Sequence, residues 1–115
     1  MVKHEYLYET DSSQRLKRAV IDNASIGDNT LIAAVTGRKL RVYQMVLISS
    51  GTTTVRFESG AGGTALTGQL NLIANVGFSS GWCPGGHFET LLGELLNLEL
   101  SAAVSVDGWL IYAEI

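Results

Sequence analysis

The residue types most able to bind a metal or act in catalysis lie together in the stretch from Trp82 to Glu89, which reads Trp-Cys-Pro-Gly-Gly-His-Phe-Glu. Its His-x-Glu pair is found in zinc deaminases, but those enzymes complete the metal site with a following Pro-Cys-x-x-Cys, and no cysteine follows His87. A cupin metal site needs further histidines, and His4 is the only other one. We therefore expect no metal site and no cofactor here. His87 and Glu89 are predicted to project from one face of a strand, solvated or hydrogen-bonded, while Phe88 points to the core.

Two further arrangements resemble catalytic groups only in part. Cys83 lies near His87, an arrangement that can activate a thiolate, but the stretch supplies neither an orienting group nor an oxyanion cradle. The glycines at 60, 62 and 63 lack the Lys-Ser/Thr and the following helix of a phosphate-binding loop, and are typical of a β-turn region. The residue types therefore favour a protein that is not an enzyme.

Aromatic residues outside the regular strand pattern are the better candidates for a binding role. Phe78 and Trp82 fall in the longest irregular stretch, about residues 75 to 86, and a large aromatic in such a loop is either a packing lid or an interface anchor. The polar leader, residues 1 to about 15, poses the same choice. Its aromatic residues can cover this domain's own sheet edge or dock onto another subunit by strand addition. We predict that a capsid or subunit contact involves Tyr6, Leu7, Tyr8, Phe78 and Trp82.

Composition limits the classes of partner. A chain of 115 residues forms one domain with a single core, and its net charge of -3 with eight Lys and Arg argues against binding nucleic acid through phosphate contacts. One cysteine cannot form an internal disulfide, so we expect folding in a reducing cytoplasm. The sequence contains neither an N-terminal apolar run nor a long apolar stretch, and we expect no signal peptide and no membrane span.

Alternating apolar and polar residues predict the elements that position these groups. The clearest pattern runs from Leu96 to Ala102 and from Trp109 to Ile115, and it predicts a β-hairpin around Asp107-Gly108. In the longest predicted strand, about residues 39 to 49, two sets of side chains face opposite ways: Leu40, Val42, Gln44, Val46 and Ile48 on one side, and Arg41, Tyr43, Met45 and Leu47 on the other.

About eight short strands joined by frequent turns predict an all-β fold. We expect an N-terminal arm over residues 1–15 and, over residues 16–115, a single jelly-roll-like antiparallel β-sandwich. An immunoglobulin-like sandwich and a small closed barrel are the alternatives, although the first lacks its usual cysteine pair.

Three segments carry a resemblance to a known family: Ile32 to Val42, Thr64 to Gly68 and Leu98 to Glu114. They look like the small jelly-roll module of tailed-bacteriophage virion proteins, in particular head decoration (cement) proteins. The resemblance covers about residues 19 to 115 and excludes the leader. It implies a non-enzymatic protein on the outer surface of the capsid, made in the host cytoplasm, that bridges major capsid subunits and stabilises the shell.

The partners expected from this resemblance are the major capsid protein and further copies of the chain itself, a homodimer first and a trimer as the alternative. Two rival functions stay open. One is a receptor- or carbohydrate-binding module of a phage tail or fibre, with Trp82, Tyr6 and Tyr8 as stacking surfaces. The other is a cupin-like small-molecule enzyme.

Overall fold

The computed structural model describes residues 15–115, which form ten β-strands. No helix in this part of the chain is long and apolar enough to cross a membrane. In chain order the strands are β1 Lys17–Asn23, β2 Gly27–Ile32, β3 Leu40–Ser49, β4 Thr53–Ser59, β5 Thr64–Ala65, β6 Leu70–Leu72, β7 Val76–Ser79, β8 Phe88–Glu89, β9 Leu96–Leu100 and β10 Val106–Glu114.

The strands form two antiparallel sheets of five strands each. In the first sheet the order is β1-β10-β3-β7, and β8 pairs with another part of β3. In the second sheet the order is β2-β9-β4-β5, and β6 pairs with another part of β4. Taking β5 with β6 and β7 with β8 as interrupted strands leaves eight strand positions, with orders 1-8-3-6 and 2-7-4-5. That interleaving of the two sheets is the double Greek key of a jelly roll, and the predicted fold class is confirmed.

The predicted hairpin between the last two strands is wrong. β9 pairs with β2 and β4 in the second sheet, whereas β10 pairs with β1 and β3 in the first, so residues 101–105 carry the chain from one sheet to the other. Asp107 and Gly108 lie inside β10. A side chain on Gly108 would meet the carbonyl oxygen of Val46 at 1.8 Å, so this glycine permits a close approach to β3 and does not make a turn.

A β-bulge in β3 exchanges the two faces of that strand. Ile111 pairs with Gln44 and Tyr112 pairs with Val42, which leaves Tyr43 as the extra residue. Before the bulge Leu40 and Val42 face the core, and after it Met45 and Leu47 do. The predicted division of β3 into two continuous faces is therefore wrong beyond Val42: its second half turns Gln44, Val46 and Ile48 outward.

The core lies between the two sheets and is made mainly of aliphatic side chains. Leu96, Leu98 and Leu100 of β9 point inward and are buried, which is the reason for their alternation with polar residues. Phe88 packs against Phe57 with ring centroids 5.1 Å apart and the rings tilted by 41°, as its predicted inward direction requires. Each fully buried side chain of this kind contributes about 1.5–3 kcal/mol. The core thereby fixes the two outer faces on which functional groups must lie.

Candidate functional site

The structure separates the predicted contact residues. Phe78 lies in β7 opposite Leu47, where it packs half-buried against the core. The stretch predicted to be irregular thus contains a strand, Val76–Ser79. Tyr6, Leu7 and Tyr8 lie outside the described residues. Of the predicted set, Trp82 is the side chain that the structure presents to solvent, with 43% of its surface exposed.

Trp82 is fixed against β3 by stacking and by the backbone that carries it. Its ring stacks on the buried ring of Tyr43 with centroids 5.1 Å apart and an interplanar angle of 19°. The backbone on both sides of Trp82 in the chain is bonded to β3. The Ser80 amide donates to the Met45 carbonyl at 2.9 Å, and the Cys83 amide donates to the Tyr43 carbonyl at 3.1 Å. Trp82 is therefore held in place on the outer side of the first sheet, where it is partly exposed.

The groups with catalytic potential make local structural contacts. Nε2 of His87 donates to the Gly81 carbonyl at 2.8 Å, and the Cys83 thiol donates to the Gly86 carbonyl at 3.4 Å. Glu89 accepts from Nε of Arg41 at 2.8 Å and lies 3.4 Å from Nζ of Lys39. These side chains brace the loop and the start of β3.

Glu89 has a perturbed pKa that reflects these ion pairs. Burial alone would raise the pKa of Glu89, but the hydrogen bond and charge of Arg41, assisted by Lys39, outweigh burial and hold it below its ordinary value. The same hydrogen bond raises the pKa of Arg41. The pair is therefore ionised at neutral pH, which suits a structural ion pair.

A groove of about 380 Å³ opens beside Trp82 on the outer side of the first sheet. Its apolar walls come from two tryptophans, a leucine and an isoleucine, and its polar rim comes from a lysine, an arginine and a glutamine. The lining residues are Leu16, Lys17, Arg18, Gln44, Trp82, Trp109 and Ile111. Grooves with apolar walls and a few polar groups are typical binding sites.

The groove continues into an apolar surface that follows from the strand register. Val20 of β1 pairs with Trp109 of β10, which pairs with Val46 of β3, and Ile48 lies two residues further along the same face. Val20 is 66% exposed and Ile48 is 53% exposed. We call the set Val20, Val46, Ile48, Trp82, Trp109 and Ile111 the outer apolar face.

Charged residues lie at both ends of the outer apolar face. Arg18 pairs with Ile111 at the groove end, and Lys17 there forms an ion pair of 2.9 Å with Glu114. At the other end Asp22 pairs with Asp107. Burial raises the pKa of Asp107, and the hydrogen bond and charge of Asp22 raise it further. The face is thus apolar along its middle, positive at one end and acidic at the other.

Sequence reasoning missed most of this surface. It placed Trp109 and Ile111 in a strand of the predicted hairpin without assigning them a surface role. In the structure Leu110 between them is the buried residue, and the two flanking side chains point outward. The sequence did contain a signal for this surface. Successive side chains of a strand point to opposite faces of the sheet, and β10 has large apolar residues at both odd and even positions, so one of the two sets must lie outside the core.

The groove and the outer apolar face are suited to binding by contact. Comparison with protein families, with curated proteins and with solved structures found no match for this chain.

Proposed function

We propose that the protein is a bacteriophage virion component, a capsid decoration (cement) protein that binds the outer surface of the head and bridges major capsid subunits to stabilise the shell. The observation that carries the proposal is the outer apolar face. Three of its side chains, Val20, Ile48 and Trp82, are each more than 40% exposed. Contiguous apolar surface of this kind on a small domain marks a protein contact.

The architecture also supports a structural role. The jelly roll buries its core between two paired sheets, and the potentially reactive side chains Cys83, His87 and Glu89 are engaged in local contacts. A virion protein of this kind needs a rigid fold with a binding surface on one side. Trp82 meets that need because its stacking on Tyr43 fixes it before any partner arrives.

The test is co-sedimentation with decoration-free capsid shells of the same phage. Val20→Glu places a carboxylate in the contact, where its desolvation costs several kcal/mol. We expect the dissociation constant for the shell to rise at least about tenfold, since about 1.4 kcal/mol corresponds to a factor of ten, and occupancy to fall accordingly at subsaturating protein. The matched control is Leu92→Glu, because Leu92 is 63% exposed in the loop between β8 and β9 and is not part of the outer apolar face.

Two outcomes would contradict the proposal: no binding of the wild-type protein to these shells, or equal occupancy for the Val20 and Leu92 variants. A deletion of residues 1–14 addresses the predicted contact of Tyr6, Leu7 and Tyr8, and full occupancy of the truncated protein would exclude the leader as an anchor.

We propose a homodimer in solution, with a trimer as the alternative. Light scattering of wild type and Val20→Glu should give the same mass if this face binds the capsid and not a second copy.

A second candidate function is carbohydrate binding by a tail or fibre module, favoured by the two tryptophans of the groove. Trp82 and Trp109 both line it, next to the polar groups of Gln44 and Arg18. Sugars bind to such sites by stacking on aromatic rings and by hydrogen bonds. Glycan-array binding that is lost in Trp82→Ala would favour this function, and binding to capsid shells alone would exclude it.

A further inference from the structure

Among the described residues, β1 provides the one long and regular edge of the two sheets. It lies at one end of the first sheet, and all seven of its residues, Lys17–Asn23, pair with β10 without a bulge. The other edge of that sheet is made by β7 and β8, of four and two residues. In the second sheet the pairing of β2 is irregular between Thr30 and Ile32, and the opposite edge is made by β5 and β6, of two and three residues.

A regular edge strand leaves a row of backbone N–H and C=O groups without partners. Proteins usually protect such an edge with a short strand, a bulge, a proline or a covering segment. The other sheet edges of this protein are short or irregular, whereas β1 has neither a bulge nor a proline. Because its backbone groups on the side away from β10 have no partner strand within residues 15–115, this edge is suited to pairing with a further strand.

The outward side chains of β1 are complementary to themselves in the antiparallel direction. Arg18, Val20 and Asp22 lie on the outer side of the sheet, because they alternate with Ala19 and Ile21, which pack against the core. A two-fold axis at Val20 would place Arg18 of each copy opposite Asp22 of the other, and the two Val20 side chains would meet at the axis. Opposite charges that face each other across two strands stabilise the pairing.

Asp22 and Arg18 both lack a charged partner of opposite sign within the part of the chain that the structure describes. Asp22 instead pairs with Asp107 of β10, so that two carboxyl groups lie side by side. Burial raises the pKa of Asp107, and the hydrogen bond and charge of Asp22 raise it further. A guanidinium from a second copy would offset the repulsion between these two acidic groups.

We propose that two copies of the chain pair through their β1 edges, antiparallel about a two-fold axis at Val20, so that their first sheets form one continuous sheet. The seven residue pairs exchange about six to eight backbone hydrogen bonds, because every second pair exchanges two. The outer apolar faces of the two copies then meet at Val20 and form one larger surface. This interface rests on the homodimer proposed above, and it needs no capsid contact.

Sedimentation equilibrium of the full chain tests the interface. We expect the wild type to have twice the chain mass of 12.3 kDa. Arg18→Glu replaces both Arg–Asp pairs of the dimer by like-charge pairs, and should raise the dimer dissociation constant at least about tenfold. The double variant Arg18→Glu/Asp22→Arg restores opposite charges, and its dissociation constant should return to within about threefold of the wild type. The matched control is Arg38→Glu, the same charge change in the exposed loop between β2 and β3, which should dimerise like the wild type.

A cysteine at the two-fold axis tests the register by a second measurement. Directly opposite residues of antiparallel strands have Cα atoms about 4.5–5.5 Å apart, which a disulfide can bridge. Val20→Cys should therefore form a covalent dimer with glutathione disulfide as the oxidant, seen on a non-reducing gel. The control is Ile48→Cys, which is 53% exposed on the same outer apolar face but lies on β3 and not at the edge. This variant should stay monomeric on the gel, as should the wild type with Cys83 alone.

Three results would overturn the pairing: a wild type of monomer mass, a double variant as weak as Arg18→Glu, or equal yields of covalent dimer from Val20→Cys and Ile48→Cys. Dimerisation that appears only after deletion of residues 1–14 would also overturn it and would assign the β1 edge to the leader.

The interface and the capsid contact can fail separately. Val20→Glu places one like-charge pair at the axis, against two in Arg18→Glu, so it should keep the dimer mass at concentrations well above the dissociation constant. Loss of shell binding by a protein that stays dimeric would affect the capsid contact alone. A monomeric wild type that binds shells would refute the β1 pairing alone.

Discussion

Replacing Leu47 by alanine should destabilise the protein far more than replacing its neighbour Ile48. Both changes remove three carbons from adjacent residues of β3, but Leu47 is fully buried while Ile48 is 53% exposed. For Leu47→Ala the lost transfer energy is about 2.4 kcal/mol at about 0.8 kcal/mol per carbon, and the cavity raises the cost to about 3–4 kcal/mol. For Ile48→Ala, with about half the side chain already in water, the cost is about 1 kcal/mol.

Urea unfolding followed by tryptophan fluorescence measures this difference. Leu47→Ala should also lower the melting temperature by about 12–16 °C, and Ile48→Ala by about 4 °C, at about 4 °C per kcal/mol for a domain of this size. Leu47→Met is the matched control and should cost less than about 1.5 kcal/mol, because it conserves volume. If Ile48→Ala were as destabilising as Leu47→Ala, Ile48 would face the core, and the outward direction of the second half of β3 would be refuted.

Two further predictions concern an ion pair and a glycine. Glu89→Gln should lower stability by about 0.2–1 kcal/mol at pH 7, because its ion pairs are partly exposed. The folded-state pKa of Glu89 lies below the ordinary 4.5. The free energy of unfolding that the wild type gains over Glu89→Gln should therefore be complete above about pH 5 and vanish as the pH falls below 4.5. Urea titrations that give the same difference in free energy from pH 7 to pH 3 would contradict this. Gly77→Ala should lower the free energy of unfolding by more than about 2 kcal/mol, since its Cβ would clash with the Leu47 carbonyl oxygen. The control Gly81→Ala should be near neutral, because nothing lies within 4 Å of its Cβ. Equal melting temperatures of the two variants would show that β7 does not pair closely with β3.

The extent to which the sequence predicts the fold is clear from β9 and β10. Alternation correctly placed Leu96, Leu98 and Leu100 in the core, because facing depends only on the local period of two. It did not identify the pairing partners of these strands, because pairing depends on segments as distant as Val20 and Val46. Asp107-Gly108 misled for a physical reason: glycine suits both a hairpin turn and a close approach between strands, and a short sequence window does not distinguish them.

The candidate sites show the same limit. Trp82 was predicted as a contact residue because a large aromatic in an irregular loop is either a packing lid or an interface anchor. Its neighbours in the groove were not predicted, since the bulge at Tyr43 has no local signature in a stretch with apolar residues on both sides of the strand. The open edge of β1 was not predicted either, because only the complete set of strand pairings shows which strands lie at the ends of a sheet.

Covering the two outer faces of the sandwich with a protein partner has different free-energy costs. This difference favours the first sheet for the capsid contact that we propose. Covering Val20, Ile48 and Trp82 removes apolar surface from water and stabilises a complex by about 25 cal/mol per Å². Covering the second sheet would desolvate Arg56 and Glu99, which are only partly buried, at a cost of several kcal/mol per ion unless the partner restores their contacts. A protein partner therefore gains more on the first sheet than on the second.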